Sequence, residues 1–141
     1  MIVMVDKMFI AAKAFINFNG KILVLRESTG YKDGSNEGKF DVVGGRIKIG
    51  ENFYDSLIRE IKEETNLKVK IGKPFFVHEW RPVVRDERWQ VIAVFVECFA
   101  DSDKVTLSQD HDKYLWITPE NYKEYTLIEN LYLTFEAYIK E

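Results

Sequence analysis

The sequence contains a single cysteine, Cys98, among 141 residues. A disulfide within the chain is therefore excluded, because a disulfide needs two cysteines. Cys98 lies in the apolar run Val91–Ala100, where a free cysteine usually behaves as a small buried hydrophobic residue and not as a nucleophile. A chain without disulfides is typical of a reducing compartment, so we expect the protein to be cytoplasmic.

Long hydrophobic runs are also missing. No segment approaches the roughly 18 apolar residues that a membrane span needs. The fairly apolar N-terminus, Met1–Phe18, is interrupted by Asp6, Lys7 and Lys13. Because no basic region precedes a continuous apolar stretch, this segment does not have the pattern of a signal peptide. We expect neither a membrane span nor a secretory leader.

A strong excess of one charge is absent as well. The net charge is −3, from 20 basic and 23 acidic residues. Nucleic-acid-binding surfaces usually carry a basic excess, so no nucleic-acid partner is expected. An acidic protein that binds anionic phosphates needs bound cations to offset the repulsion between the two negative charges. The two histidines, His78 and His111, are too isolated to suggest a zinc site.

The remaining composition is that of a globular protein, with 46% hydrophobic and 30% charged residues. The length suits one domain with a sizeable core, so we predict a single domain over residues 1–141. Asn19-Gly20 joins two β-rich runs and predicts a hairpin, because this dipeptide accepts the positive φ of a type I′ turn. A polar loop is predicted at Glu27–Lys39. The predicted strands are Phe9–Phe18, Lys21–Arg26, Phe40–Val43 (ending in Gly44-Gly45), Leu67–Ile71, Phe75–Trp80, Trp89–Ala100 and Tyr114–Ile117.

Three segments carry helical signals. Asn52–Thr65 has helical periodicity, and Asn66 suits the left-handed residue that ends a helix. The predicted apolar stripe of this helix is Tyr54, Leu57, Ile58 and Ile61. Thr118-Pro119 matches an N-cap followed by proline at the first helical position, and Thr126–Lys140 predicts a C-terminal helix. Strands with two or three helices indicate an α/β fold with a mixed sheet packed between helices.

Glu60, Glu63 and Glu64 share one arc of the first predicted helix. At ~100° per residue, Glu64 lies about 40° to one side of Glu60 and Glu63 about 60° to the other. Like charges at i and i+4 destabilise a helix. A divalent cation would offset the repulsion between these carboxylates, because hard cations take oxygen ligands. The alternative is a solvated acidic face with Arg59 and Lys62 as partners, and the carboxylates alone do not decide between the two.

The spacing around these residues is more specific than the carboxylates themselves. Gly45 is followed after five residues by Glu51 and after seven more by Arg59-Glu60. The pattern continues with an aliphatic residue, any residue, Glu63-Glu64, any residue and Asn66-Leu67. This pattern resembles the Nudix box, the signature of the Nudix (MutT-type) hydrolases. The one departure is Asn66 where the family has glycine, and both residues suit a left-handed helix end.

The resemblance implies a Nudix α/β/α sandwich whose box forms a loop–helix–loop metal site. Matched by position, the ligands of Mg²⁺ or Mn²⁺ would be Glu60, Glu63, Glu64 and the carbonyl of Gly44. The family also has an acidic residue from a later loop. Asp110 is the candidate here, and an exposed loop charge is the alternative.

The resemblance also implies a reaction, the hydrolysis of a diphosphate linkage in a nucleoside diphosphate derivative. The metal would neutralise the diphosphate oxygens and stabilise the charge that develops as water attacks phosphorus. Glu60 or Glu63 would act as the base or orient the water. Glu51 and Arg59 would brace the motif, with Arg59 reaching back to Glu51 in a bidentate pair.

Substrate identity depends on residues outside the box. The size of the chain fits the triphosphate-cleaving members, so the first expectation is a (d)NTP pyrophosphohydrolase that releases NMP and pyrophosphate. Pro82, fifteen residues beyond Leu67, is a mark of ADP-ribose-cleaving members. It keeps an ADP-ribose or nucleotide-sugar pyrophosphatase as the alternative, and an ordinary loop proline is the plain interpretation. A non-catalytic nucleotide-sensing module is the third interpretation, but such a module has no need of three mutually repelling glutamates.

Candidate contacts to a small nucleotide substrate are cations and aromatic residues near the box. They are Arg26 and Arg46 for phosphates, with Phe40 and Trp80 for stacking on a base; surface charge or core packing is the alternative for each. The C-terminal helix carries Tyr132, Phe135 and Tyr138. These residues suggest a homodimer contact, and docking of the helix on its own sheet is the alternative.

Overall fold

The computed structural model describes residues 4–28 and 38–141. The strands in these residues are β1 Lys7–Phe18, β2 Lys21–Glu27, β3 Phe40–Asp41, β4 Val43–Arg46, β5 Val69–Trp80, β6 Val83–Val84, β7 Glu87–Ala100 and β8 His111–Ile117. The helices are α1 Phe53–Thr65 and α2 Glu129–Lys140, with a 3-10 helix at Pro119–Glu124 between β8 and α2. Most of the loop predicted at Glu27–Lys39 lies outside the described residues, and Glu27 itself belongs to β2.

The strands form one mixed sheet that separates two hydrophobic cores. β1 runs parallel to β7, whereas the other strand pairs are antiparallel. Leu57 and Ile61 of α1 belong to the core on one face. Leu131 and Phe135 of α2 belong to the core on the other face. Helices therefore cover both faces, which confirms the predicted α/β/α arrangement.

The sheet divides close to its first hairpin. Asn19 and Gly20 have φ of 51° and 83°, which confirms the turn predicted from this dipeptide. β1 pairs with β2 only at the two residue pairs nearest the turn. Farther along, β1 pairs with β4, while β2 pairs with β3 and β8. Where β1 and β2 separate, β4 pairs with β1, so the glycines of β4 lie between β1 and the group formed by β2, β3 and β8.

Two strand predictions were wrong. Gly44-Gly45 does not end a strand; both glycines lie within β4, and the chain breaks instead at Val42. Leu67–Ile71 and Phe75–Trp80 are not separate, because β5 continues through them with register shifts between Ile71 and Phe76. These bulges keep β5 paired with β7 across residues 72–74, where the sequence predicts the end of one strand and the start of another.

The helix predictions also needed correction. The segment after Thr118 is a 3-10 helix and not an α-helix, and Thr118 makes no side-chain cap. α2 begins at Glu129 and not at Thr126, because this segment bonds to β3: the Phe40 amide donates to the Thr126 carbonyl at 2.9 Å and the Ile128 amide donates to the Phe40 carbonyl at 3.0 Å. In α1 the predicted stripe is only partly buried. Leu57 and Ile61 are fully buried, whereas Tyr54 and Ile58 are exposed, and Ser56 and Thr65 are buried instead.

The C-terminal helix docks on its own sheet. Phe135 is fully buried, with its ring centroid 4.8 Å from that of Phe15. The Tyr138 hydroxyl accepts a hydrogen bond from Asn17 Nδ2 at 3.0 Å and donates one to the carboxylate of Glu97. These contacts support the docking alternative for this helix over the homodimer contact.

The structure shows where Cys98 lies and how long and apolar the described helices are. Cys98 is fully buried, and burial raises the pKa of its thiol to about 12, as expected for a structural cysteine. In the part of the chain that the structure describes, no helix has the length and apolar character to cross a membrane.

Candidate metal and substrate site

The helix α1 has defined ends. The Asn52 side-chain oxygen accepts hydrogen bonds from the amides of Tyr54 and Asp55 at 3.0 and 3.2 Å. Asn66 ends the helix with φ of 60°, and its amide donates to the Lys62 carbonyl at 3.0 Å. The predicted left-handed role of Asn66 is confirmed, so asparagine reproduces the helix end that glycine provides in the Nudix box.

Arg59 holds the acidic residues of α1 and its preceding loop together. Its Nε and Nη2 donate to the two oxygens of Glu51 at 2.8 and 3.1 Å, which confirms the predicted bidentate pair. Its Nη1 donates to Glu60 at 3.1 Å and to Glu63 at 3.3 Å. The hydrogen bonds from Arg59 lower the pKa of Glu51 to about 2. One guanidinium thus fixes the loop on the helix and offsets the repulsion between two carboxylates.

The two glycines of β4 make room for the carboxylates. A Cβ on Gly45 would lie 2.7 Å from Glu60 Oε1, so the Glu60 carboxylate occupies the space that any side chain would fill. Gly44 has φ of +151°, and a Cβ there would lie 2.2 Å from the carbonyl oxygen of Ala12. The Gly44 amide donates to Glu64 Oε2 at 3.1 Å. Close packing of β4 against β1 therefore requires glycine at position 44, whereas a side chain at position 45 would displace the Glu60 carboxylate.

The three glutamates differ in exposure. The Glu63 side chain is 59% exposed, and that of Glu60 is 17% exposed. Burial raises the pKa of Glu64 to about 8, with the charge of Lys13 acting in the opposite direction and the charge of Glu60 adding to the rise. Glu64 therefore faces the interior, Glu63 faces solvent, and Glu60 lies between them.

Lys13 and Asp41 form a part of the site that sequence reasoning missed. Lys13 is 8% exposed, and its Nζ donates to Asp41 Oδ2 at 2.8 Å. The other oxygen of Asp41 accepts the Val42 amide at 2.7 Å. His111 lies in the field of the same two charges, and burial lowers its pKa. The signal in the sequence was Lys13 itself, a charge inside the apolar run of β1.

Arg46, at the end of β4, lies beside a surface cleft of about 600 Å³. Its guanidinium carbon is 4.4 Å from the ring centroid of Phe9 and 5.1 Å from that of Trp89. Glu60 lies on the same cleft as Phe9 and Arg46. The structure therefore brings one predicted phosphate-binding residue and one predicted metal ligand to a common cleft.

The other predicted substrate and loop residues do not line this cleft. Arg26 donates from Nε to Asp112 Oδ1 at 2.7 Å, so its charge is already paired. Phe40 is buried in the core, and Trp80 packs at the edge of the same core, which favours packing over base stacking for both. Asp110 has an exposed side chain, and its carbonyl accepts the Ser28 amide at 2.9 Å.

The chemistry of the box residues fits a hard divalent cation. Glu60, Glu63 and Glu64 present carboxylate oxygens from one helix, and β4 adds the backbone of Gly44. Oxygen donors of this kind suit Mg²⁺ or Mn²⁺. Among residues 4–28 and 38–141, no three acidic, histidine or cysteine side chains already converge at metal-binding distance. Arg59 instead lies against two of the carboxylates.

Comparisons with known proteins identify the family of this chain. The NUDIX domain matches this chain over residues 9–136. The chain is 23% identical over 121 residues to the CTP pyrophosphohydrolase of Escherichia coli (strain K12), covering 86% of this chain and 84% of that protein. It is 29% identical over 97 residues to nucleoside triphosphatase NudI of Klebsiella pneumoniae (strain 342), covering 64% and 69%. The solved structure of the MutT protein from Methanosarcina mazei Go1 has a TM-score of 0.80 and 26% identity, covering 98% of this chain and 97% of that chain.

The fold and the box therefore define a hydrolase with an acidic helix beside a glycine-containing strand. The chain belongs to the Nudix family, and it is a Nudix hydrolase.

Proposed function

We propose that this hydrolase cleaves nucleoside triphosphates to NMP and pyrophosphate with Mg²⁺ or Mn²⁺. The observation that carries the proposal is the common cleft of Glu60 and Arg46. A triphosphate needs metal-binding carboxylates near the scissile linkage and a cation for the phosphates beyond it, and this cleft is lined by one box carboxylate, Glu60, and by the cation of Arg46. The names of the relatives, a CTP pyrophosphohydrolase and a nucleoside triphosphatase, point to the same class of substrate.

Glu60, Glu63, Glu64 and the carbonyl of Gly44 would hold the metal, with Asp110 as a further candidate. The bound metal would neutralise phosphate oxygens and stabilise the charge that develops at the bridging oxygen. Water adds to phosphorus, the bridging P–O bond breaks, and a carboxylate takes the proton of the water. Glu60 is our first choice for that carboxylate, because it is less exposed than Glu63 and lies on the cleft.

Arg59 and Glu51 do not need to touch the substrate in this scheme. Arg59 is bonded to Glu51 through two donors, so the loop before α1 is held against the helix. Its third donor, Nη1, bonds to both Glu60 and Glu63, which the helix places on the same side. Placing reactive groups in advance in this way lowers the barrier, because less ordering remains to be done during the reaction.

The ADP-ribose alternative gains no support from Pro82. Pro82 precedes β6, and its carbonyl accepts the Trp89 amide at 2.9 Å, so a turn explains this proline. The sensor alternative also lacks a specific observation, because the chain keeps the box glutamates, and Glu51, Glu60 and Glu63 are bonded to Arg59.

The test is a substrate panel with Mg²⁺ and with Mn²⁺, with products separated by ion-exchange chromatography. It includes ordinary and oxidised (d)NTPs, CTP, ADP-ribose and nucleotide sugars, with Glu64→Gln as the inactive control. NMP and pyrophosphate in equal amounts support the proposal, and H₂¹⁸O labelling identifies the phosphorus that is attacked. NDP and phosphate, or faster cleavage of ADP-ribose, would overturn it. Tight binding without turnover would favour the sensor.

A further inference from the structure

Arg46 has an unusual environment for an arginine in an acidic protein. Its guanidinium contacts two aromatic rings, Phe9 and Trp89, and these rings contact each other edge to face at 4.9 Å. Cations within about 6 Å of a ring centroid are attracted by the ring quadrupole. Among residues 4–28 and 38–141, no carboxylate forms an ion pair with Arg46. Within these described residues, its guanidinium is held by two rings and not by a carboxylate.

The strand register places these three residues on one face of the sheet. Ala11 of β1 is opposite Arg46 of β4, and Phe9 is two residues before Ala11, which puts it on the same face. Phe9 is opposite Val91 of β7, and Trp89 is two residues before Val91. Three adjacent strands therefore contribute the two rings and the cation, and each backbone is fixed by its neighbours.

We propose that Phe9 and Trp89 are positioning residues that hold Arg46 for the pyrophosphate end of the substrate. The proposal rests on the proposed function. Phe9, Arg46 and Glu60 line one cleft, so an anion bound to Arg46 there would share the cleft with one of the proposed metal ligands. A guanidinium already confined by two rings loses less side-chain freedom when it binds a phosphate. The planar N–H donors of an arginine can bind two oxygens of a phosphate at once, which the ammonium group of a lysine does less well.

The decisive measurement is the Kd of Mg²⁺-pyrophosphate by calorimetry, together with kcat, KM and inhibition by NMP. Phe9→Leu and Trp89→Leu remove a ring and keep an apolar side chain, whereas Trp89→Phe keeps a ring. Losing one cation–π contact should weaken pyrophosphate binding about three- to tenfold and raise KM by a similar factor. kcat and NMP inhibition should change less than about twofold, and Trp89→Phe should retain most of the affinity. Phe99→Leu, an exposed aromatic position on β7, is the matched control and should change neither value.

A double-mutant cycle separates positioning of Arg46 from any other role of the rings. In an Arg46→Gln background, Phe9→Leu and Trp89→Leu should cause no further loss of pyrophosphate affinity. Equal losses in both backgrounds, or a loss of NMP binding, would overturn the proposal and indicate stacking of the rings on the nucleoside. Wild-type protein that does not bind Mg²⁺-pyrophosphate would also overturn it. Coupled pyrophosphate binding without turnover of any triphosphate would support the positioning role and reject the proposed function alone.

Discussion

Adding one methyl group at Gly44 should mainly lower the stability of the fold, whereas adding one at Gly45 should mainly lower turnover. Alanine at Gly44 would have to adopt φ of +151°, and its Cβ would lie 2.2 Å from the Ala12 carbonyl oxygen. Strain of this kind costs about 1–3 kcal/mol. The clash is with backbone, so relief also requires β4 to move away from β1. We expect a loss of about 3 kcal/mol or more, a large part of a typical 5–15 kcal/mol stability.

Alanine at Gly45 meets a side chain and not backbone. Its Cβ would lie 2.7 Å from Glu60 Oε1 and 2.9 Å from Glu60 Cδ. The end of a glutamate can rotate away, so the free energy of unfolding should fall by less than about 1 kcal/mol. The same rotation removes Glu60 from its place between β4 and Arg59. Misplacing a catalytic group by about 1 Å can cost on the order of a hundredfold in rate, so turnover should fall by about that factor.

The assay is urea unfolding of both variants, with kcat measured over a titration of Mg²⁺. Gly20→Ala is the control for backbone strain alone, because Gly20 has φ of +83° and nothing within 4 Å of its added Cβ. If Gly44→Ala is no more destabilised than Gly20→Ala, the close approach of β4 and β1 does not limit stability. If Gly45→Ala keeps full turnover, the position of Glu60 is not critical and its catalytic role is rejected.

Three further predictions concern α1 and α2. Glu64→Gln should abolish metal-dependent turnover and leave the urea midpoint nearly unchanged, because it removes a ligand charge and adds no bulk; substantial activity would reject the metal assignment. Arg59→Lys should cost about 1 kcal/mol and reduce kcat, because lysine cannot form the bidentate pair with Glu51; urea unfolding and kinetics that match wild type would show the brace to be dispensable. Burial and the hydrogen bond to Glu97 raise the pKa of Tyr138 to about 12. Between pH about 10 and about 12 the folded state therefore binds more protons at Tyr138 than the unfolded chain does, and stability should fall across this range. Tyr138→Phe should remove that part of the pH dependence, and an identical decline in the variant would contradict the linkage.

The parts of the site that were predictable from sequence are those set by short spacings. Arg59 and Glu51 are eight residues apart across one helix start, so their contact follows once the helix is placed. Asn66 terminates the same helix through its own backbone conformation. A helix of known start and end fixes the relative directions of its side chains, which is why Glu60 and Glu63 were correctly placed on one side.

The parts that were missed depend on strand register. Lys13 and Asp41 are 28 residues apart, and their pairing follows from the way β1 leaves β2 and joins β4. Phe9 and Trp89 are 80 residues apart and meet because β1 and β7 run parallel in one specific register. A shift of one residue would send each side chain to the opposite face of the sheet, and no local pattern specifies that choice.

The charge balance around α1 supports the proposed metal site. Arg59 contacts Glu51, Glu60 and Glu63, while Lys13 pairs with Asp41 and acts on Glu64. Five carboxylic acids thus depend on two cations, which leaves up to three negative charges uncompensated. Solvent screens the exposed Glu63, but not the acids that face the sheet. A divalent cation would offset that excess, and in the proposed reaction the phosphates of the substrate would then meet Arg46 on the cleft that Glu60 also lines.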